Sequence, residues 1–145
     1  MSPVNGLLSS ISLDDAVDLA RAAVESDSRL WTRSNKIVAK KYNVTLAAYE
    51  IGQHLVGIGV DESNQQLTDL LISINRDPRM EDLYNNLIRA WSQEGGSLMC
   101  AFASTGSFSK FGSWGYKEYQ LQPWDKAPKF RSLKKAAHRA QLLSR

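Results

Sequence analysis

Apolar positions along the chain fall into two kinds of pattern, helical stripes and short uncharged runs. The first stripe follows Ser12-Leu13-Asp14-Asp15, where Ser12 suits an N-cap and the two aspartates suit the positive end of a helix dipole. Leu13, Ala16, Val17, Ala20 and Val24 then recur at three- and four-residue spacing. Asp27-Ser28 reads as a break or a kink, after which Leu30, Trp31, Ser34, Ile37 and Val38 continue the same period. Lys40-Lys41 suits the helix C-terminus, and Asn43 is a good stop. A second stripe, Leu67, Leu70, Leu71 and Ile74, is interrupted at Asn75-Arg76-Asp77-Pro78. Asp77 can cap a further helix with Pro78 at its first position, where no N–H is needed. Met80, Leu83, Tyr84, Leu87, Ile88 and Trp91 make its strong apolar face, and Gly95-Gly96 ends it. Lys129 to Leu143 reads as a last, basic helix with Phe130, Leu133, Ala137 and Leu142 as its apolar positions.

The uncharged runs are residues 44–49, Val-Thr-Leu-Ala-Ala-Tyr, and residues 97–103, Ser-Leu-Met-Cys-Ala-Phe-Ala. Short runs of this kind suit parallel strands buried on both faces. Helix, strand, helix pair, strand, loop and helix in that order predict an α/β fold in which the two strands are parallel neighbours. Two parallel strands do not make a stable sheet, so the expectation is that further strands come from self-association or from a larger assembly. Residues 1–11 form an N-terminal segment in which Leu7-Leu8-Ser9-Ser10-Ile11 is a weak candidate for a third strand.

Composition narrows the class. The 145 residues, 43% hydrophobic and 23% charged, suit one globular domain. Cys100 stands alone, which excludes an internal disulfide framework and a multi-cysteine zinc site. His54 and His138 are too few for a histidine metal cage, and neither metal nor cofactor is expected. No apolar run approaches the roughly 18 residues of a membrane span, so no membrane partner is expected. Met1 to Ile11 has no basic residue before its apolar patch and does not match a secretory leader. Charge is uneven: residues 109–145 carry a net +7 and residues 1–108 a net −4. The basic tail is a possible nucleic-acid surface, but its charges spread around a helix with few aromatics, and a solvated face is the preferred reading.

Glu50 is the main candidate for chemistry. It follows an uncharged run and precedes a glycine turn, and active-site groups of parallel α/β folds lie at the carboxyl ends of strands. The plain alternative is a structural glutamate satisfied by a neighbour. His54, four residues on, is either a site residue or a loop histidine with a structural hydrogen bond. Trp114 sits in Gly112-Ser113-Trp114-Gly115 and reads as a sugar-stacking platform or as core packing. Asn75-Arg76-Asp77 reads as a structural corner. Ser104, Ser107 and Ser109 lack a placed base and suggest no hydrolase triad. Gly57 and Gly59 match no phosphate loop, and Asn43-Val44-Thr45 is a glycosylation triplet at the start of a strand expected to be buried.

Several segments together resemble one family. Tyr49-Glu50-Ile51-Gly52-Gln53-His54-Leu55 resembles a Tyr-Glu-Gly-Gly-Gln-His-Leu signature of bacterial proteins related to glycoside hydrolases. The likeness continues through Asn75-Arg76-Asp77-Pro78-Arg79-Met80, Leu83-Tyr84, Trp91, Gly95-Gly96, Ser109 to Gly115, Glu118-Tyr119 and Ala127 to Phe130. It covers about residues 12–135. It implies the C-terminal portion, two to three units, of a (β/α)8 TIM barrel within one partial domain spanning 1–145, with barrel-like units at 12–130 and a basic helix at 129–145. Residues 13–41 would be the sixth helical layer, 44–49 the seventh strand and 97–103 the eighth. It further implies Glu50 as the strand-seven nucleophile of a retaining glycosidase, with Tyr49, His54 and Trp114 binding the sugar. The acid/base partner would belong to strand four, which this chain does not contain. Ile51 stands where the family has glycine, and its β-branch would narrow the approach to the carboxylate.

The functional expectation is a truncated or split glycoside-hydrolase-like barrel fragment, inactive alone because retaining hydrolysis needs two carboxyl groups. Its partners would be a polysaccharide or glycan and either the missing barrel portion or a second copy. The alternative is a non-catalytic module that binds a glycan or a protein.

Overall fold

The computed structural model describes residues 11–143. The first helix, α1 (Leu13–Ala23), is capped as expected: the Ser12 hydroxyl accepts from Asp15 N–H, and the Asp15 carboxylate accepts from Ser12 N–H. It does not break at Asp27-Ser28. A π-helical turn at Val24–Ser28 carries it directly into α2 (Arg29–Lys41), so that Leu13–Lys41 is one rod. After β1 (Ala48–Ile51) and a 3-10 turn at Gly59–Ser63 come α3 (Gln65–Arg76) and α4 (Met80–Gln93). β2 (Met99–Ala101), a long loop, a 3-10 turn at Trp124–Lys126 and α5 (Pro128–Leu143) complete the order.

The π turn changes which side of the rod faces inward. A π turn holds an extra residue, which shifts the helical phase on its far side by about one position. On α1 the inward positions include Val17 and Ala20; on α2 they are Arg29, Thr32, Lys36 and Ala39. The apolar residues Leu30, Trp31, Ile37 and Val38, expected to continue the buried stripe, are instead exposed.

β1 and β2 pair in parallel, with Ala48 opposite Met99 and Ile51 opposite Ala101. Ser97 N–H donates to Leu46 O, Ala48 N–H to Leu98 O, and Phe102 N–H to Ile51 O. The parallel neighbours are therefore present, but the expected fold is not. Among the described residues the molecule is mostly helical, with two short strands in one small sheet. That is not a portion of a TIM barrel, and the partial-barrel assignment over 12–130 is withdrawn. The strands are also shorter than 44–49 and 97–103, because ladder pairing holds only over three or four residues. Glu50 consequently lies inside β1 rather than after it. Nor are the runs buried on both faces: Tyr49, Leu98 and Phe102 are exposed. An uncharged run permits burial but does not supply the cover. The third-strand candidate at Leu7–Ile11 lies outside the described residues except for Ile11, which is in no strand.

The core lies between the helices. Val17, Ile74, Met80, Leu83, Tyr84 and Tyr116 form a buried cluster, with Leu13, Ala16, Leu70, Phe130 and Leu133 packed against it. Tyr84 and Tyr116 meet edge to face, 5.2 Å between ring centres. The Asp77 carboxylate accepts from Arg79 N–H and from the Arg79 guanidinium, the cap expected of it, and a first turn held by Met80 N–H to Asp77 O and Glu81 N–H to Pro78 O leads into α4 at Met80. Arg131 of α5 pairs with Glu81 of α4 at 2.6 Å, and Lys135 joins the same carboxylate.

Candidate functional site

β1 supplies Glu50, and the turn that follows supplies Gln53 and His54. The chain leaving β2 supplies Phe102, and its long loop returns to supply Trp114. These side chains, with Ile51 and Gly52, line one open cleft of about 430 Å³. That volume falls within the ordinary range for small-ligand sites. The structure thus brings Glu50, His54 and Trp114 together. Tyr49 does not line this cleft: it is 85% exposed and borders an adjoining groove beside Trp31 of α2, which shares Glu50, Ile51 and Gly52 with the cleft.

Trp114 is held at several points. Its Nε1–H donates to Phe111 O at 3.1 Å, and its carbonyl accepts from Ala103 N–H at 3.1 Å. Its ring centre lies 4.8 Å from that of His54 and 6.2 Å from that of Phe102. Gly112 has φ +126°, and a Cβ placed there would lie 2.3 Å from the indole, so only glycine fits against the ring. The flanking glycines noted in the sequence thus have a packing reason at this position.

Gln53 ties the two loops together. Its side-chain N–H donates to Ser113 O at 2.8 Å, and its Oε1 accepts from Leu55 N–H at 2.6 Å. Its backbone N–H donates to the Tyr84 hydroxyl at 3.1 Å. Burial pushes the Tyr84 phenol up to about 12, so it stays neutral over the physiological range. Gly52 approaches the second strand closely, since a Cβ there would meet Phe102 O at 3.0 Å.

Ser113 O is shared. Besides Gln53 it accepts from Lys129 Nζ, a buried cation that also donates to Asn75 Oδ1 at 2.9 Å and lies 4.5 Å from the centre of the Phe108 ring. Burial lowers the Lys129 ammonium to about 7, opposed by the Glu118 charge. The Asn75-Arg76-Asp77 corner has the structural part expected of it: Asn75 receives Lys129, Arg76 pairs with Glu118, and Asp77 holds Arg79.

Three residues that matter here escaped the sequence reading. Gln53 stood inside the quoted signature but was given no task. Phe102 read as strand interior and Lys129 as part of a solvated basic tail. For Lys129 a signal exists: a cation in the first turn of a helix opposes the helix dipole and calls for another reason to be there.

Chemically, the cleft offers one carboxylate, one imidazole and two aromatic faces. Among the described residues no second carboxylate lines it, and no group of three or more His, Cys, Asp or Glu is placed to hold a metal ion. No protein-family model matches the chain, and no curated protein or solved structure compared with it gives a match.

Proposed function

We propose that the chain is a non-catalytic carbohydrate-binding module whose site is the Glu50–His54–Phe102–Trp114 cleft. The observation that carries this reading is the convergence of a braced tryptophan, a second aromatic ring and a carboxylate on one open surface. Sugar rings present apolar C–H faces that pack on the negative face of an aromatic ring, and a carboxylate accepts from neighbouring hydroxyl groups. The reading keeps the carbohydrate side of the resemblance and sets aside the barrel. Retaining hydrolysis needs a second carboxyl group about 5–5.5 Å from the first, and the cleft has one, so binding without turnover is the expected behaviour.

Co-sedimentation with insoluble cellulose, chitin and xylan tests it. Retention on at least one is expected, falling roughly tenfold in Trp114→Ala, the scale of one aromatic contact, and also in Glu50→Gln. Absence of retention on all three, or equal retention of Trp114→Ala, refutes the reading. Hydrolysis of aryl-glycosides that disappears in Glu50→Gln would make the chain an enzyme instead.

A further inference from the structure

The rod Leu13–Lys41 has an unusual outer face. Leu19, Leu30, Trp31, Ile37, Val38 and the following Tyr42 are 54–66% exposed. Side chains of this size present on the order of 150 Å² or more when free, so together they display on the order of 600 Å² of surface. That is the upper end of the largest apolar patch on an ordinary monomer, about 300–600 Å². It is also most of the ~800 Å² that each partner contributes to a standard interface.

Charge is divided along the same rod. Residues 13–28 carry Asp14, Asp15, Asp18, Glu25 and Asp27 against Arg21, whereas residues 29–41 carry Arg29, Arg33, Lys36, Lys40 and Lys41 and no acid. Part of this charge is used internally, since Arg29 and Arg33 pair with Glu94, and Asp14 pairs with Arg79. Among the described residues Glu25, Asp27, Lys36, Lys40 and Lys41 have no ion-pair partner within the chain.

We propose that the chain forms a two-fold dimer in which two such rods pack antiparallel about a point near Ser34, setting Leu30 and Trp31 of one copy against Ile37 and Val38 of the other, and Glu25 and Asp27 against Lys40 and Lys41. A two-fold interface must be complementary to itself, and this charge division meets that condition. Parallel packing would set like charges side by side, at a cost. The apolar residues fill the seam, and the charges fix the direction. The proposal does not depend on the carbohydrate reading, because no residue of the rod lines the cleft with Trp114.

The test is the mass of the full chain in solution, by light scattering on a sizing column or by sedimentation. The wild type is expected to be a dimer. Lys40→Glu/Lys41→Glu makes both ends of the seam acidic, and Glu25→Lys/Asp27→Lys makes both basic. Each variant alone is expected to dissociate at least roughly tenfold more readily, and an equimolar mixture of the two is expected to restore the dimer. Far-UV circular dichroism checks that each remains folded. If either fails that check, the single variant Trp31→Glu serves in its place and is expected to be monomeric. A monomeric wild type, charge variants that dimerise as the wild type does, a mixture that stays monomeric, or a dimeric Trp31→Glu overturns the proposal.

Discussion

Tyr84 and Tyr49 are the same residue in opposite surroundings, and they show how differently the packed and the open parts of the molecule are built. Tyr84 is 2% exposed, set edge to face on Tyr116 and bonded through its hydroxyl to the turn after β1. Tyr49 is on a two-stranded sheet that the helices do not cover on its side, and it is almost wholly in solvent. The face made by α4 and α5 is closed, with its rings buried and its ion pairs internal. The face made by β1 and the outside of α2 leaves its rings displayed. Residue type does not distinguish them; the cover does, and cover is a property of distant parts of the chain. The closed face braces the site from behind, and the open face is where contact with other molecules is available.

The comparison can be broken most forcefully at Tyr84. Tyr84→Ala removes a buried ring from the middle of the core and is expected to cost about 3–5 kcal/mol, the range for large aromatic truncations. A urea titration reads this directly, and an unchanged midpoint would show that the closed face is not closed. The next effect depends on pH. The folded-state value of Lys129 is depressed from 10.5 to about 7, so across that interval the unfolded chain binds more protons than the folded one. Stability contributed by this group therefore rises with pH through the interval, with a slope of at most about 1.4 kcal/mol per pH unit. Denaturation compared at about pH 7 and about pH 9.5 should show that rise in the wild type and a flattened one in Lys129→Met. The smallest effect is Tyr49→Ala, expected to change stability by no more than about 0.5 kcal/mol, as for other exposed positions. It should also leave polysaccharide retention unchanged. A larger loss in either measurement would place Tyr49 in a packed or binding environment that the open face does not have.

Much of this was legible in the sequence, and the errors have physical reasons. Helix signals are local: Ser12 with Asp15, the Met80–Trp91 stripe and Gly95-Gly96 all act over one or two turns, and those helices formed. That β1 and β2 would be parallel neighbours followed from a long helical connection. The number of strands is not local information. The uncharged runs around Leu46 and Cys100 say only that nothing forbids burial; the barrel expectation rested on the resemblance, and the described residues form one two-stranded sheet. Lys129 was misread for the same reason in reverse, because a charge in a basic tail is solvated by default and only the fold brings Asn75, Ser113 and Phe108 around it.

The π turn at Val24–Ser28 carries a consequence for how this chain could change over generations. How many of Leu30, Trp31, Ile37 and Val38 are private to the molecule or public depends on length as well as on composition. Deleting one residue from that turn would leave every side chain of α2 chemically intact, yet rotate the whole segment by about 100°, bringing Leu30 and Ile37 to the inward places of Arg29 and Lys36 while Trp31 and Val38 take the exposed places of Leu30 and Ile37. A substitution can weaken such a surface by degrees. A three-nucleotide deletion would withdraw two of its four residues in one step, and the corresponding insertion would present them again.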